Sequence, residues 1–201
     1  MTNTFVLWLT GLPASGKSNI AEGVASFLAE QQLAVELINS GKLRRTPLGA
    51  TLGFSKHERE TNVRRHAIAA KLLMQNGVIP IVSAVSPYRA DRDVIRKDLA
   101  RFVEVYVSTP PETCQQLDQT GNWARALRGE IPNFTGISDP YETPVSPEIT
   151  VSLANSSVET ATETIMHYLQ DKNWIPTPEK RKRSAEEIAK KLQLLGYSDQ
   201  P

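Results

Sequence analysis

The chain has 201 residues, 40% of them hydrophobic and 22% charged, with a formal net charge of +1. That length fits one domain with a small appendage and a sizeable core, and the near-neutral balance gives no electrostatic case for a nucleic-acid partner or a membrane surface. The single cysteine, Cys114, excludes an internal disulfide and fits a reducing compartment.

The first predicted strand, TFVLWL, covers 4–9. With the small residues that follow, it has the look of a secretory signal, but no Lys or Arg precedes it and the first is Lys17. No apolar run approaches the ~18 residues that span a bilayer, so a soluble cytoplasmic protein is expected. Directly after the strand comes GLPASGKS, formed by Gly11, Leu12, Pro13, Ala14, Ser15, Gly16, Lys17 and Ser18. It matches the phosphate-loop pattern G-x-x-x-x-G-K-[ST] in its proper context, between a strand and a helix. Glycines at both ends let the backbone curl so that its N–H groups and the helix N-terminus cradle the phosphates of ATP. Lys17 is placed to reach the β- and γ-phosphates, and Ser18 to ligate Mg2+.

A helix is predicted over 17–32, a strand over 34–39, and a helix over 58–77 with Ala67, Ala70, Leu73 and Met74 along one side and a stop at Gly77. Strands follow at 78–85, 102–108 and, more weakly, 148–153, with helices at 89–100 and 157–172 between and after them. Near-continuous apolar strands alternating with amphipathic helices predict an α/β three-layer fold of the P-loop NTPase type, with a parallel five-stranded sheet. Residues 117–147 are rich in Gly, Pro, Asp and Asn without a period, and read as a lid over a site. The kinase domain is expected to cover 1–173. A linker and an amphipathic helix with a capping box at Ser184 and Glu187, an apolar stripe of Ile188, Leu192 and Leu195, and a stop at Gly196 fill 174–201.

Four further stretches carry a resemblance: LGFSKHERETNVRR (52–65), SAVSPYRADRD (83–93), FVEVYVSTPPETC (102–114) and GEIPNFTGISDPYETPVSPE (129–148). In order and spacing they resemble the adenylylsulfate (APS) kinase family, and the resemblance spans about 4–170. It implies Mg2+-assisted transfer of the ATP γ-phosphoryl to the 3′-hydroxyl of adenylylsulfate, giving PAPS and ADP, often in a homodimer. It also implies that Phe54 and Phe134 sandwich the acceptor adenine, a task suited to aromatic faces. Arg59 and Asn62, three apart, share a helix face that by itself reads as exposed and charged; the resemblance points them at the acceptor phosphosulfate and ribose. Ser86 lies just past a strand end, where α/β sheets bind ligands. The family's matching serine contacts the acceptor and is sometimes described as a phosphoserine intermediate. No base lies near Ser86 in sequence, so direct in-line transfer is simpler. Lys17 and Ser86 are the candidate catalytic residues, and Asp118 joins the phosphate loop as an ATP-site candidate. Arg89 and Arg92 read as surface charges. The histidines show no metal-ligand spacing, and Cys114 reads as a buried apolar side chain.

The chain departs from the family in two places. Leu117, Thr120 and Trp123 stand where Arg, Lys and Tyr are usual, and Arg125 and Arg128 are candidates to supply the missing lid charge. The family's Asp-Gly-Asp-x-x-Arg, whose second Asp is assigned to orient or deprotonate the 3′-hydroxyl, is replaced by residues 39–45, NSGKLRR. Counting back from LGF without a gap puts Ser40, Gly41 and Lys42 on the motif and Arg45 on its arginine, the substrate-binding position. Counting forward from the strand puts Asn39, Ser40 and Gly41 there, with Arg44 as the arginine and one extra residue later. In both registers the acid is absent. Three readings follow: an adenylylsulfate kinase with an altered loop, a kinase of the same fold on another nucleotide-linked hydroxyl, and a catalytically weak or inactive nucleotide-binding homologue with a regulatory role.

Overall fold

The computed structural model describes residues 4–47 and 51–177, together with Glu186, Glu187 and Lys190. The capping and stripe residues of the expected C-terminal helix, Ser184, Ile188, Leu192, Leu195 and Gly196, lie outside the described residues. The described elements run β1 (Val6–Gly11), α1 (Lys17–Glu30), β2 (Val35–Asn39), α2 (Ser40–Leu43), α3 (Lys56–Gln75), β3 (Ile79–Ser83), α4 (Arg89–Asp98), β4 (Phe102–Val107), α5 (Pro111–Leu117), α6 (Asn122–Leu127), β5 (Ile149–Val151) and α7 (Val158–Asp171). The chain divides into two compact units, Met1–Ile165 and Met166–Pro201. In the second, the end of α7 is closed by Trp174 N donating to Leu169 O at 2.9 Å.

The five strands form one sheet in the order β2-β3-β1-β4-β5, and every pairing is parallel. All six residues of β1 are buried, as expected of a central strand covered on both faces. Val6 and Trp8 share one face with Ile38, Val82 and Phe102, where Val63, Ala70 and Met74 of α3, Ile95 of α4 and Leu99 just after it pack against them. Helix α1 contacts β1, β2 and β3 and buries Ile20, Ala21, Val24 and Leu28. Gly23 lets it approach α7 closely, because a Cβ there would stand 2.7 Å from Thr162 Oγ1. The three-layer parallel architecture is therefore the one expected from the alternating pattern. The region from 117 is not all loop, however: the short helix α6 lies within it, and α5 precedes it.

Helix α3 begins two residues before its predicted start because Ser55 and Glu58 form a capping box, a pattern visible in the sequence as Ser-x-x-Glu. Glu58 also accepts from Gly53 N at 2.8 Å. Those bonds, Ser55 first, hold the Glu58 carboxyl below the usual range, and they fix the turn that presents Phe54. Further along α3, His66 is only 3% exposed, and its Nδ1 has no partner among the described residues.

Burial, with the Arg44 charge adding to it, lowers the His66 pKa from 6.5 to about 4. A histidine held neutral in the fold contributes stability that is complete above its unfolded pKa and is lost as pH falls toward the folded one. Urea unfolding at pH 5.0 is expected to show about 2 kcal/mol less stability from this group than at pH 7.5, and His66→Leu to remove that part of the slope. At Gly11 a Cβ would overlap the Val107 carbonyl oxygen of the neighbouring strand. Gly11→Ala is expected to cost about 3 kcal/mol, the upper end of ordinary overpacking, read as a lower urea midpoint.

Candidate active site

The phosphate loop is the turn from β1 into α1, and its shape is set by backbone conformation. Ala14 and Gly16 have φ of 58° and 94°. Leu153, from the segment after β5, covers Gly16, and the positive φ there strains any other residue. Thr109 Oγ1, just past β4, donates to Ser15 O at 2.9 Å and fixes the loop from the other side. Lys17 is folded over the loop it will serve. Its Nζ donates to Gly11 O at 3.1 Å, Leu12 O at 2.6 Å and Ser15 Oγ at 3.2 Å. Burial lowers its pKa to about 8, so an arriving polyphosphate would both raise that pKa and draw the ammonium outward.

The carboxyl ends of the strands line up beside this loop. Ser18 Oγ lies 3.3 Å from Ser83 Oγ at the end of β3, and Asn39 Nδ2 at the end of β2 donates to Ser18 Oγ at 3.0 Å. Asn39 Oδ1 caps the following turn by accepting from Lys42 N at 3.1 Å. Lys42 itself points away, to Glu22 on α1 at 2.9 Å, with its side chain 70% exposed. Strand β2 closes on Asn39, and Arg44 faces Phe54. Arg45 is exposed and does not share that contact.

Phe54 is 48% exposed and carries two guanidinium groups near its ring, Arg44 at 4.5 Å and Arg59 at 5.4 Å. Toward the described residues Arg44 donates only from Nη1, to Leu52 O and Gly53 O. Burial first, then the Arg59 charge, lowers its pKa. Arg59 and Asn62 are not on an exposed face: they are 7% and 6% exposed. Arg59 is a strut between two loops, donating from Nε to Phe54 O at 3.0 Å and from Nη2 to Asn133 O at 2.5 Å. It therefore ties the turn bearing Phe54 to the lid segment bearing Phe134. Phe134 is 8% exposed and packs edge-on against Trp123, centroids 5.2 Å apart. The structure thus brings the two loops together, with Phe54 presented to solvent and Phe134 set in the apolar cluster of Cys114, Trp123 and Ala126.

The lid is anchored at several points. Trp123 Nε1 donates to Pro13 O in the phosphate loop at 3.0 Å. Asp118 shapes the turn into α6, accepting from Thr120 Oγ1 at 2.6 Å and Trp123 N at 2.7 Å. Arg125 and Arg128 are both exposed and paired with Glu130. Tyr88 donates to Asp139 at 3.0 Å, and Asp139 stands 3.7 Å from Arg59. Between Leu12 and lid residues 136–141 is a cleft of about 560 Å³.

Arg92 is a buried hub, only 2% exposed, not the surface charge its place in a polar helix suggests. It donates to Glu104 Oε1 at 2.7 Å, Ser86 O at 2.6 Å and Glu142 O at 2.6 Å. Ser86 adopts φ of 43°, and its Oγ, 2% exposed, accepts from Trp8 Nε1 at 3.0 Å. One lone pair of its hydroxyl is thus taken by the sheet. Nothing in the sequence marks Arg92 as buried, since Glu104, its counter-ion, sits twelve residues on in an otherwise apolar strand. Arg89, by contrast, is exposed as expected.

A parallel sheet with a phosphate loop after its first strand, serine and asparagine at the adjoining strand ends and an anchored lid over them define a phosphate-loop kinase. A family model described as adenylylsulphate kinase matches residues 3–152. An adenylyl-sulfate kinase of Halothermothrix orenii is 41% identical over 173 residues, covering 86% of this chain and 93% of that one. Another, from Lactiplantibacillus plantarum, is 42% identical over 172 residues, covering 85% and 83%. Among solved structures, an APS kinase of Mycobacterium tuberculosis in complex with AMPPNP and APS superposes with a TM-score of 0.79 at 34% identity, over 83% of this chain and 98% of that one. The chain belongs to the adenylylsulfate kinase family.

Replacing Arg92 by Ala removes a donor from the carbonyl oxygens of Ser86 and Glu142 and leaves the buried Glu104 carboxylate with Arg96 alone as its ion-pair partner. A loss of about 3–5 kcal/mol is expected, the range for breaking a buried pair from one side, measured by urea unfolding.

Proposed function

We propose that this protein transfers the γ-phosphoryl of ATP to the 3′-hydroxyl of adenylylsulfate, giving PAPS and ADP. The observation that carries the acceptor assignment is the exposed ring of Phe54 flanked by the guanidinium groups of Arg44 and Arg59. An aromatic face beside two cations suits a ligand that is a purine at one end and a phosphosulfate anion at the other. Arg44, with donors uncommitted toward the described residues, is assigned to the anion in place of Arg45. Arg59 and Asn62 hold the loops on either side, and Phe134 closes the purine site from the lid. Ser86 serves by fixing the end of β3, and transfer is direct and in line.

On the donor side, the loop from Gly11 to Ser18 holds the phosphates, with Lys17 released from its three loop acceptors onto the β- and γ-phosphates. Asp118 supports this side by shaping the lid turn. The hydroxyls of Ser18 and Ser83 are hard oxygen donors that would suit Mg2+ beside the phosphates. When bound, the ion neutralises charge on the β- and γ-oxygens. No helix among the described residues is long and apolar enough to cross a membrane. An ATP-dependent reaction and a single buried cysteine support a cytoplasmic location. The family resemblance adds a homodimer, to be measured by sedimentation.

The test is ADP release by the purified protein with Mg-ATP, with and without adenylylsulfate, beside calorimetry of each ligand. PAPS formation dependent on adenylylsulfate is expected. ATP binding without adenylylsulfate binding would instead favour a kinase of the same fold on another hydroxyl, and binding of both without turnover an inactive homologue. Lys17→Ala is expected to abolish turnover, and an unchanged rate would refute the loop assignment.

A further inference from the structure

Where β2, β3 and α1 meet, the side chains at the strand ends carry no formal charge. Phosphate-loop enzymes ordinarily place a carboxylate at such a strand end, to hold the metal or to orient the nucleophile. Here Ser83 ends β3 and Asn39 ends β2, both directed at Ser18 Oγ. The next residue, Ser40, accepts at Oγ from Asn62 Nδ2 at 3.0 Å. Among the described residues, no Asp or Glu hydrogen-bonds to Ser18, Asn39, Ser40 or Ser83. Glu22, one turn along α1, is taken by Lys42 at the surface. Gly41 brings no side chain, and a Cβ there would lie 3.3 Å from Asn39 Oδ1 and meet nothing else.

A serine hydroxyl has two lone pairs and one proton. Asn62 is 6% exposed and set in α3, so its amide is a rigid donor that occupies one lone pair of Ser40 and fixes the rotamer. The second lone pair and the O–H are left for another group, on the residue that follows Asn39, whose amide holds Ser18.

We propose that Ser40, oriented by Asn62, positions the acceptor hydroxyl in place of a carboxylate base. The inference rests on the phosphoryl-transfer reading above. The acceptor hydroxyl donates to Ser40 Oγ, and its oxygen attacks the γ-phosphorus. The new P–O bond forms as the bond to the β,γ-bridging oxygen breaks, and ADP leaves with that electron pair. The hydroxyl proton passes late to a non-bridging oxygen of the transferred phosphoryl group. A loose transition state makes this workable, because the attacking oxygen needs little activation before the bond to the leaving group has stretched. Placement then matters more than basicity.

The test combines steady-state kinetics of the wild type, Ser40→Ala, Ser40→Thr and Gly41→Asp with calorimetry of ATP and adenylylsulfate. Ser40→Ala is expected to lower kcat about 3- to 10-fold, as for loss of one neutral hydrogen bond, with KM for ATP unchanged, and Ser40→Thr to restore it. Gly41→Asp is expected to raise kcat by less than about tenfold, whereas a rise of ~10²–10⁴-fold, the usual worth of a general base, would mean the acid is missing and not replaced. That rise, an unchanged kcat in Ser40→Ala, or a loss that Thr does not restore overturns the proposal. So does a wild type that binds adenylylsulfate without turning it over, a result that leaves the acceptor assignment intact. A wild type that binds ATP but not adenylylsulfate overturns the acceptor assignment itself, and this inference with it.

Discussion

The buried ion pair between Arg92 and Glu104 is the contact on which the site's geometry depends. Two charges in the interior cost several kcal/mol of desolvation each, which their attraction alone does not reliably repay. What the pair supplies is direction. With Nε on Glu104, the guanidinium plane is fixed, and its other donors fall on the carbonyls of Ser86 and Glu142. One contact comes from the loop after β3 and the other from the lid, so a single rigid fork sets the distance between them. An ammonium group could keep the charge but not the fork. Thr10, from the strand that leads into the phosphate loop, adds to this by bonding both Val85 O and Tyr141 Oη. The loop after β3, the lid and the phosphate loop are thereby held as one frame before any ligand arrives, and a preorganised frame is what in-line transfer requires.

The acceptor side is organised by like charge held close. Arg44 and Arg59 both approach the Phe54 ring, and their mutual repulsion helps lower the pKa of Arg44. Asp139 relieves part of this from the lid side, at 3.7 Å from Arg59. An anionic ligand would relieve the rest. That electrostatic tension suits the phosphosulfate of the proposed acceptor better than it would a neutral group. The turn that bears Phe54 carries it because Glu58 holds Gly53 and Ser55 in place.

Set against this cationic side, the neutral strand ends are consistent with how phosphoryl groups move. Most of the barrier is met by positioning and by charge placed around the transferred group. In the proposed reaction Lys17 and the loop N–H groups supply that charge. The proposed task of the Ser40 hydroxyl is then only to place the acceptor oxygen.

The strands, their parallel order and the phosphate loop were legible in the sequence, because apolar runs and glycine spacing are local properties that record burial and backbone curl directly. The Ser55 and Glu58 capping box follows a Ser-x-x-Glu pattern that the helix start expected at 58 overlooks. The motifs around Phe54, Ser86 and Phe134 marked the family. The sequence did not show that Arg59 and Asn62 face inward, that Ser86 turns its hydroxyl to Trp8, or that Arg44 and not Arg45 meets Phe54. Nor did it distinguish Arg92 from its exposed neighbour Arg89, since both lie in a run of charges. Those outcomes depend on partners 10 to 78 residues away, and no pattern along the chain encodes which distant carbonyl a buried guanidinium will reach. The sequence by itself determined a phosphate-loop kinase scaffold of the adenylylsulfate kinase family without the usual acid. Only the tertiary structure decided which polar side chains stand in that acid's neighbourhood, because a hydrogen-bond network is fixed by where packed elements meet and not by the order in which they are joined.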